Sequence, residues 1–565
     1  LVSAAHRSGR PEDLGRGRPG QSIPGEVEMN SKKNLKLREM SREDGRPLVH
    51  LETTNLMPLP APLNDPAQLP AFRPLSAQAA EKYDGALDDT CAVFVPKPKS
   101  PEEEQALIAK FLAGLEKLFQ RENNWTFLQP LVLTMEHCAK CQTCSEACHI
   151  YEASGHNELY RPTYRTEILR RLYYKFVRHG GLVSQWQHGD IKLTWSLVAR
   201  LIELSYRCNL CRRCAQVCPI GADNGLVAHE LRKLFSQEMG IAAKELHDTG
   251  SMLQLKVGSS TGMNAEAVKD SVQFIDEDMT ERTGVKVETP WDVEGADVLV
   301  IHNAGEFLAW PENPGAFALI LNAAGIKWTL SSEVAAYDSI NYGLWYDDAQ
   351  FARVALKHAE AARKLKVKKI VLGECGHAHK ALSVIADRLL LGEHDVPRES
   401  AMTLLHEIVM KDRIKLDPSR NDFPVTLHDP CNLVRLMGVV QPQRDILHKI
   451  CPRFREMEPH GVNNYCCGGG SGFAIMKAGN FPDWRFHVAG RKKLEQVLNA
   501  FADCRGPSVP KYICAPCSNC KGQFRDMLAY YDLWEKERIL YGGLVELIVN
   551  AMPDVKPGFI DWEWH

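Results

Sequence analysis

Apolar positions recur along this chain in distinct regimes, and the borders between them outline its organisation. From Pro101, "PEEEQALIAKFLAGLEKLF" opens with proline and three glutamates, and Phe111, Leu115 and Leu118 share one helical face. The helical pattern continues to about residue 245. After residue 294 the pattern alternates. "ADVLVIHN", "IKWTLS" and "VKKIVLGE" read as buried strands, with "PGAFALILNAAG" and "DDAQFARVALKHAEAARKLK" as the helices between them. The series restarts with "FPVTLHDP", "RDILHKIC", "AGRKKLEQVLNAFADC" and "KYICAP". Such alternation predicts α/β layers with a largely parallel sheet. The restart predicts an internal repeat in which "TLHDPC" sits over "LVIHNAG" and "APCSNCK" over "GECGHAHK". Cys517 then falls opposite Cys375, while Cys520 and Cys431 face Ala378 and Gly305.

The remaining stretches are polar or proline-rich. Residues 1–28, rich in Gly, Arg and Pro, read as a disordered leader or start-site extension. Residues 29–100 read as an extended proline-rich arm that drapes over a partner or stays disordered. Residues 246–294 read as a polar linker. The expected fold class is therefore α+β multidomain. A helical two-cysteine-run domain (101–245) precedes two pseudo-repeated α/β halves, 295–400 and 401–565, the second ending in a C-terminal tail.

Charge adds little: 68 Lys+Arg face 71 Asp+Glu, which argues against a nucleic-acid binder. No apolar run is long enough for a membrane span, so the expectation is a soluble, cytoplasmic chain. Cysteine changes the picture. Of 18 cysteines, Cys91, Cys375, Cys431, Cys451 and Cys504 stand alone and the others fall in tight groups, a pattern that in a reducing compartment points to metal.

"HCAKCQTCSEACHI" and "RCNLCRRCAQVCPI" both read C-x2-C-x2-C-x3-C. That spacing wraps a loop around a cubane 4Fe–4S cluster, with the fourth thiolate crossing to the other cluster. Cys138, Cys141, Cys144 and Cys218 are expected to hold one cubane, and Cys208, Cys211, Cys214 and Cys148 the second. Pro219 fits the ferredoxin pattern, whereas His149 departs from it. Zinc is the competing reading, but zinc ribbons use separated C-x2-C knuckles rather than one continuous run written twice.

The second half carries Cys431 in "HDPCNLVR", adjacent Cys466 and Cys467 in "YCCGGG", and Cys514, Cys517 and Cys520 in "CAPCSNC". No cubane spacing fits them. A cysteine after Asp-Pro, then CCG, then C-x2-C at a strand end resembles the cysteine-rich CCG domain of heterodisulfide reductase catalytic subunits. The whole layout from 130 to 530 resembles the DsrK, HmcF and TmcB-like iron–sulfur subunits of that HdrD-like family. The resemblance implies a non-cubane 4Fe–4S cluster on Cys431, Cys466, Cys467, Cys517 and Cys520, where adjacent thiolates serve neighbouring irons and glycines admit close backbone. The gap from Cys467 to Cys517 is longer than the family's usual spacing, so Cys514 stays open as a replacement ligand.

What the resemblance implies for function is electron relay through two cubanes to the CCG cluster, where a disulfide or trisulfide is reduced or formed. The implied partners are a quinone-linked membrane cytochrome b subunit and a small sulfur-carrier protein of DsrC type with C-terminal cysteines. They would hold the chain peripherally on the inner membrane. Cys375, in "GECGHAH" at a strand end, is expected either to face the CCG cluster and act in catalysis or to be a relic buried thiol beside helix-capping histidines. Cys91, Cys451, Cys504 and His302 read as ordinary core or surface residues. Two rival functions remain: an iron–sulfur subunit of a quinone-linked dehydrogenase or electron-transfer-flavoprotein pathway, and a pure electron wire. "GGGSG" follows cysteines rather than a strand-to-helix turn, which argues against a nucleotide site.

Overall fold

A computed structural model describes residues 51, 53–73, 77, 95–336, 338–476 and 483–563 of the chain. The 1–28 segment and Cys91 lie outside the described residues. Helix α1 (Pro101–Leu118) starts on Ser100, whose Oγ accepts from Glu103 N at 3.3 Å, with proline in the first turn. It buries Phe111, Leu115 and Leu118, the face predicted from spacing. Helices α2 (Leu128–His137), α3 (Pro162–Leu172), α4 (Gly181–His188), α5 (Trp195–Tyr206) and α6 (Asn224–Met239) follow. The first cysteine run begins as α2 ends and the second as α5 ends. α6 packs against α1, α5, α3 and α2 and is the central strut of this part.

Residues 246–294 are not a linker. They form short helical turns and then α7 (Ala265–Thr283), which buries Val268, Val272, Ile275 and Met279. Those four positions are spaced for one helical face, but the surrounding Asp, Glu and Thr dilute the pattern.

Two four-stranded, wholly parallel sheets follow, with the same strand order. The first is β2 (Trp328–Thr329), β1 (Val298–Ile301), β3 (Lys369–Leu372), β4 (Arg398–Ser400). The second is β6 (Phe454–Arg455), β5 (Val425–Leu427), β7 (Lys511–Cys514), β8 (Ile539–Gly542). Around them run α8 (Glu312–Ala323), α9 (Asp348–Lys364), α10 (Ala401–Met410), α11 (Cys431–Leu436), α12 (Pro442–Ile450), α13 (Arg491–Ala500), α14 (Ser518–Tyr530) and α15 (Leu544–Asn550). The last helix of each sheet crosses to the other: α10, after β4, packs on α12, and α15, after β8, packs on α8. One continuous core results, holding Val300, Phe317, Leu405, Val425, Ile446 and Leu547 together. The border expected at 400/401 therefore cuts between a strand and the helix that follows it. The expected C-terminal tail is instead β8 and α15, whose Leu544, Val545, Leu547 and Ile548 are fully buried.

The described part of the proline-rich arm drapes over its own chain. Leu59 and Leu63 are buried against Leu494, Val497 and Phe501, and Arg73 makes a forked ion pair with buried Asp483 (2.7 Å). The helical part is fastened to the first sheet by buried charges. Lys233 Nζ donates to Asn124 Oδ1 (2.7 Å) and Asp348 Oδ2 (3.0 Å), and pairs with Glu230 (3.1 Å). Burial pushes the Glu230 carboxyl up, yet Lys233 and His229 outweigh it and hold it at about 2. A carboxyl depressed on folding stabilises above its unfolded value and loses that contribution as pH falls through its folded one. Glu230→Gln should therefore cost on the order of 3 kcal/mol at neutral pH. The penalty should shrink as pH falls from about 4.5 towards about 2, which anaerobic urea unfolding of the two proteins at a series of pH values measures.

Candidate functional site

The two cysteine runs fold into matching loops. In the first, Lys140 and Gln142 adopt left-handed backbone (φ 57° and 69°), and in the second Leu210 and Arg212 do so at the same positions (φ 51° and 61°). Non-glycine residues take this conformation at a cost, and alternating it with right-handed residues turns successive N–H groups inward. Leu210 N donates to Cys208 Sγ (3.4 Å) and Ala222 N to Cys218 Sγ (3.3 Å). The fourth cysteine of each run sits with the other run's three. One cavity is lined by Cys138, Cys141, Cys144 and Cys218, the other by Cys148, Cys208, Cys211 and Cys214. Burial, then the neighbouring sulfurs, push the Cys144 thiol up to about 12, and burial does the same to Cys148. Thiols so placed give up their protons only to a cation that replaces them.

The second constellation is a row of six sulfurs. Cys467 Sγ reaches Cys520 Sγ at 3.4 Å, with Cys466 and then Cys431 next to it on one side. Cys520 continues to Cys517, and Cys517 to Cys375. Cys375 follows β3 of the first sheet, Cys431 follows β5 and Cys517 follows β7, so the row collects strand carboxyl ends from both sheets. Hydrogen bonds from Cys375 and Cys520 hold the Cys517 thiol far below its ordinary value, and those from Cys466 and Cys520 lower Cys467. Cys514 is not in the row. Its side chain points from β7 into the shared core with Cys451. Cys504 is half-buried beside Asp503 and Arg455, apart from both groups.

The loop carrying Cys466 and Cys467 is braced from below. Arg444 forks onto Asp429 (2.8 and 2.6 Å), and Asp429 also accepts from Gly461 N (2.6 Å), while Asn464 Nδ2 donates to the Asp429 carbonyl (2.7 Å). The first glycine after the pair, Gly468, has φ 93°, and a Cβ there would lie 2.5 Å from Gly490 N. Only glycine fits that approach. At Gly470 a Cβ would meet the Asn209 carbonyl at 3.0 Å, and Asn209 Nδ2 donates to the carbonyls of Gly468 (3.0 Å) and Gly470 (3.1 Å). Asn209 lies between Cys208 and Cys211, so the glycines dock the second cysteine run on the row. Arg435 Nη1 adds a bond to the Cys211 carbonyl (2.9 Å).

Sequence reasoning passed over several residues that the fold brings here. His428 Nε2 lies 3.2 Å from Cys520 Sγ and, with Cys467, forms a group whose ligand atoms lie within 4.8 Å of one another. Its position directly after β5 was the available signal. Burial holds it far below its ordinary value, so the ring is neutral. Asn303 Nδ2 donates to Cys375 Sγ and Gly376 N to Cys517 Sγ, both at 3.2 Å. The two histidines after Cys375 differ in role. His379 is spent on the Cys375 carbonyl (2.7 Å) and Ser400 Oγ (2.8 Å). His377 lies edge-on to Trp345 (4.8 Å between centroids), kept neutral by burial with its value near 4. His302 is buried and bonds Glu306 (3.2 Å), as a core histidine should. A cavity of about 340 Å³ opens beside the row, lined by Asn303, Trp310, Tyr342, Trp345, His377 and Ser518 among others, with Arg525 in its wall.

The donor sets suit iron–sulfur clusters: four thiols around each of two cavities, with backbone N–H groups aimed at sulfur, and five or six thiols in one buried row. Comparison with known proteins agrees. Residues 134–222 match a 4Fe–4S dicluster domain and residues 425–525 a cysteine-rich domain, CCG. The chain is 27% identical to the Hdr-like menaquinol oxidoreductase iron-sulfur subunit 2 of Archaeoglobus fulgidus, over 74% of this chain and 80% of that protein. It is also 27% identical to a subunit of the dihydromethanophenazine:CoB–CoM heterodisulfide reductase of Methanosarcina acetivorans, over 67% of this chain and 87% of that one. With a 4Fe–4S dicluster domain, a CCG domain and these relatives along most of its length, the chain is similar to HdrD-like iron–sulfur subunits.

Proposed function

We propose that the chain is the iron–sulfur catalytic subunit of a membrane-associated, quinone-linked redox complex and acts on an S–S bond of a small sulfur-carrier protein. The observation that carries the reading is the cluster of six thiols beside an open cavity. Cys138, Cys141, Cys144 and Cys218 would hold one cubane cluster; Cys148, Cys208, Cys211 and Cys214 a second; Cys431, Cys466, Cys467, Cys517 and Cys520 a non-cubane cluster. Bound there, the clusters would supply one-electron carriers and a thiophilic centre for a two-electron S–S cleavage. The two α/β halves would be diverged copies, the second keeping the cysteines that the first has lost apart from Cys375.

The chain's own residues prepare that chemistry. Reducing a disulfide takes two electrons and two protons and leaves two thiols; the reverse reaction returns them. Trp310, Tyr342 and Trp345 line the cavity and keep water from the reacting sulfurs. Asn303, in the cavity wall, donates to the Cys375 sulfur, and Gly376 N donates to Cys517. His377 faces the same space as a neutral ring that accepts or donates one proton. The relatives' names, one a menaquinol oxidoreductase and one a heterodisulfide reductase, support a quinone link on one side and sulfur chemistry on the other. A quinone-linked dehydrogenase subunit would use the same clusters without a thiol substrate, and a spectroscopic signal that appears only with added thiol separates the two.

Anaerobically isolated protein should carry about twelve irons per chain from thirteen cysteines. Elemental analysis giving eight irons, or stoichiometric zinc, would falsify the assignment. Cys148→Ser should alter the electron paramagnetic signal of the cluster on Cys208, Cys211 and Cys214 and spare the one on Cys138.

Cys375→Ala should leave iron content unchanged and lower turnover with a carrier disulfide by about tenfold or more. Cys466→Ala or Cys467→Ala should instead lose the non-cubane cluster's iron. Equal turnover in wild type and Cys375→Ala would remove that cysteine from the mechanism.

A further inference from the structure

One apolar surface is used neither by the core nor by the cysteine sites. Helix α4 turns Leu182 (84% exposed), Val183 (68%) and Trp186 (85%) outward. At positions i, i+1 and i+4 they share one helical face. The helix is set off by bends at both ends, with Gly181 and Gly189 in left-handed or open backbone (φ 63° and 80°). Its inner side is held by His188, which stacks flat on Tyr174 at 3.6 Å between centroids. Isolated exposed leucines are ordinary, but a tryptophan, leucine and valine exposed together on one helix mark an interaction site.

Around this helix the charge reverses sign relative to the whole chain. Residues 170–192 hold five Lys or Arg against one Asp, net +4, in a chain of net −3. Lys175 pairs with Asp190 (2.6 Å) and Arg178 with Glu136 (3.5 Å). Glu167 is shared among Arg170, Arg171 and Lys140, which leaves cations in excess. Lys140 belongs to the first cysteine loop, whose Cys141 is the exposed cysteine among the described residues. A further apolar side chain, Ile220, 53% exposed, lines the same cavity as that loop.

We infer that α4 is a membrane-surface anchor: Leu182, Val183 and Trp186 insert into the interfacial layer of an anionic lipid bilayer while the neighbouring Lys and Arg engage its headgroups. Three side chains on one short helix are too little for a protein interface, which buries about 800 Å² per partner. They suit the shallow insertion of an amphipathic helix whose binding combines apolar area with attraction to anionic lipid. Such seating turns the Cys141 side of the first cysteine loop towards the bilayer, where a lipid-soluble reductant is found. Only this last consequence rests on the proposed function; the anchoring itself rests on exposure and charge.

The test is flotation of the cluster-loaded full-length protein with vesicles of phosphatidylcholine alone or mixed with phosphatidylglycerol. Wild type should float with the mixed vesicles, float far less with the neutral ones, and release at high salt. The double variant Leu182→Ser, Trp186→Ser should lose binding by about tenfold, with iron content and dye-driven thiol chemistry unchanged because both side chains are outside the core. Equal flotation of variant and wild type would overturn the proposal. So would failure of wild type to float combined with loss, in the variant, of association with a membrane-embedded partner protein in detergent, which would make the surface a protein interface. Loss of thiol activity in the wild type with intact flotation would count against the proposed function and leave the anchor standing.

Discussion

The loops that follow β3 and β7 are bonded to each other, and the row of sulfurs depends on that contact. Ser518 N donates to the Glu374 carbonyl (2.8 Å), Ser518 Oγ reaches Glu306 of the first half, and Gly376 N reaches Cys517 Sγ. Glu374 in turn accepts from Leu544 N (2.7 Å) and Val545 N (3.2 Å) at the start of α15, the helix that the second sheet lends to the first. Carboxyl ends of parallel strands expose backbone groups that need partners, and here each half supplies the other's. The shared core behind them, with α10 and α15 exchanged, keeps the two sheets from sliding apart. Separated halves would leave Cys375 and Cys517 as two ordinary strand-end thiols.

Arginine joins the helical part to this frame. Arg232, fully buried, donates to the carbonyls of Ser205 (2.8 Å), Cys208 (2.8 Å) and Trp345 (3.1 Å), thereby touching both the second cysteine run and the first α/β half. Arg213 donates to the carbonyls of Asn463 (2.8 Å) and Ala147 (2.5 Å), and Arg435 bonds the carbonyls of Cys211, Val462 and Asn464. A planar fork of five donors satisfies several carbonyls at once, which an ammonium group cannot do with the same geometry. Burial drives the Arg232 guanidinium down to about 10, still charged at neutral pH. Its cost of burial is offset by the carbonyls that would otherwise lack donors. The same contacts hold the second cysteine run against the glycines that follow Cys467, so the positions of the two sites are set by one set of bonds.

Much of this was legible in the chain itself, wherever the determining contacts are local. A C-x2-C-x2-C-x3-C run determines its own loop, because three thiols within seven residues converge only if the backbone curls, and the left-handed residues fall at equivalent places in both runs. Strand–helix alternation marked α/β layers with parallel strands, since burial periodicity is a property of neighbouring residues, whereas strand order was not legible in it. Only the tertiary structure decided that Cys375 meets Cys517 from 142 positions away in sequence, a separation counted from the two residue numbers. It also decided that His428 reaches Cys520, that α10 and α15 trade sheets, and that α7 and the described part of the proline-rich arm belong to the core surface. Periodicity states which face of an element is buried; it does not state which other element buries it. That choice is made by shape and by the pairing of buried polar groups across distant parts of the chain, and no local pattern records it.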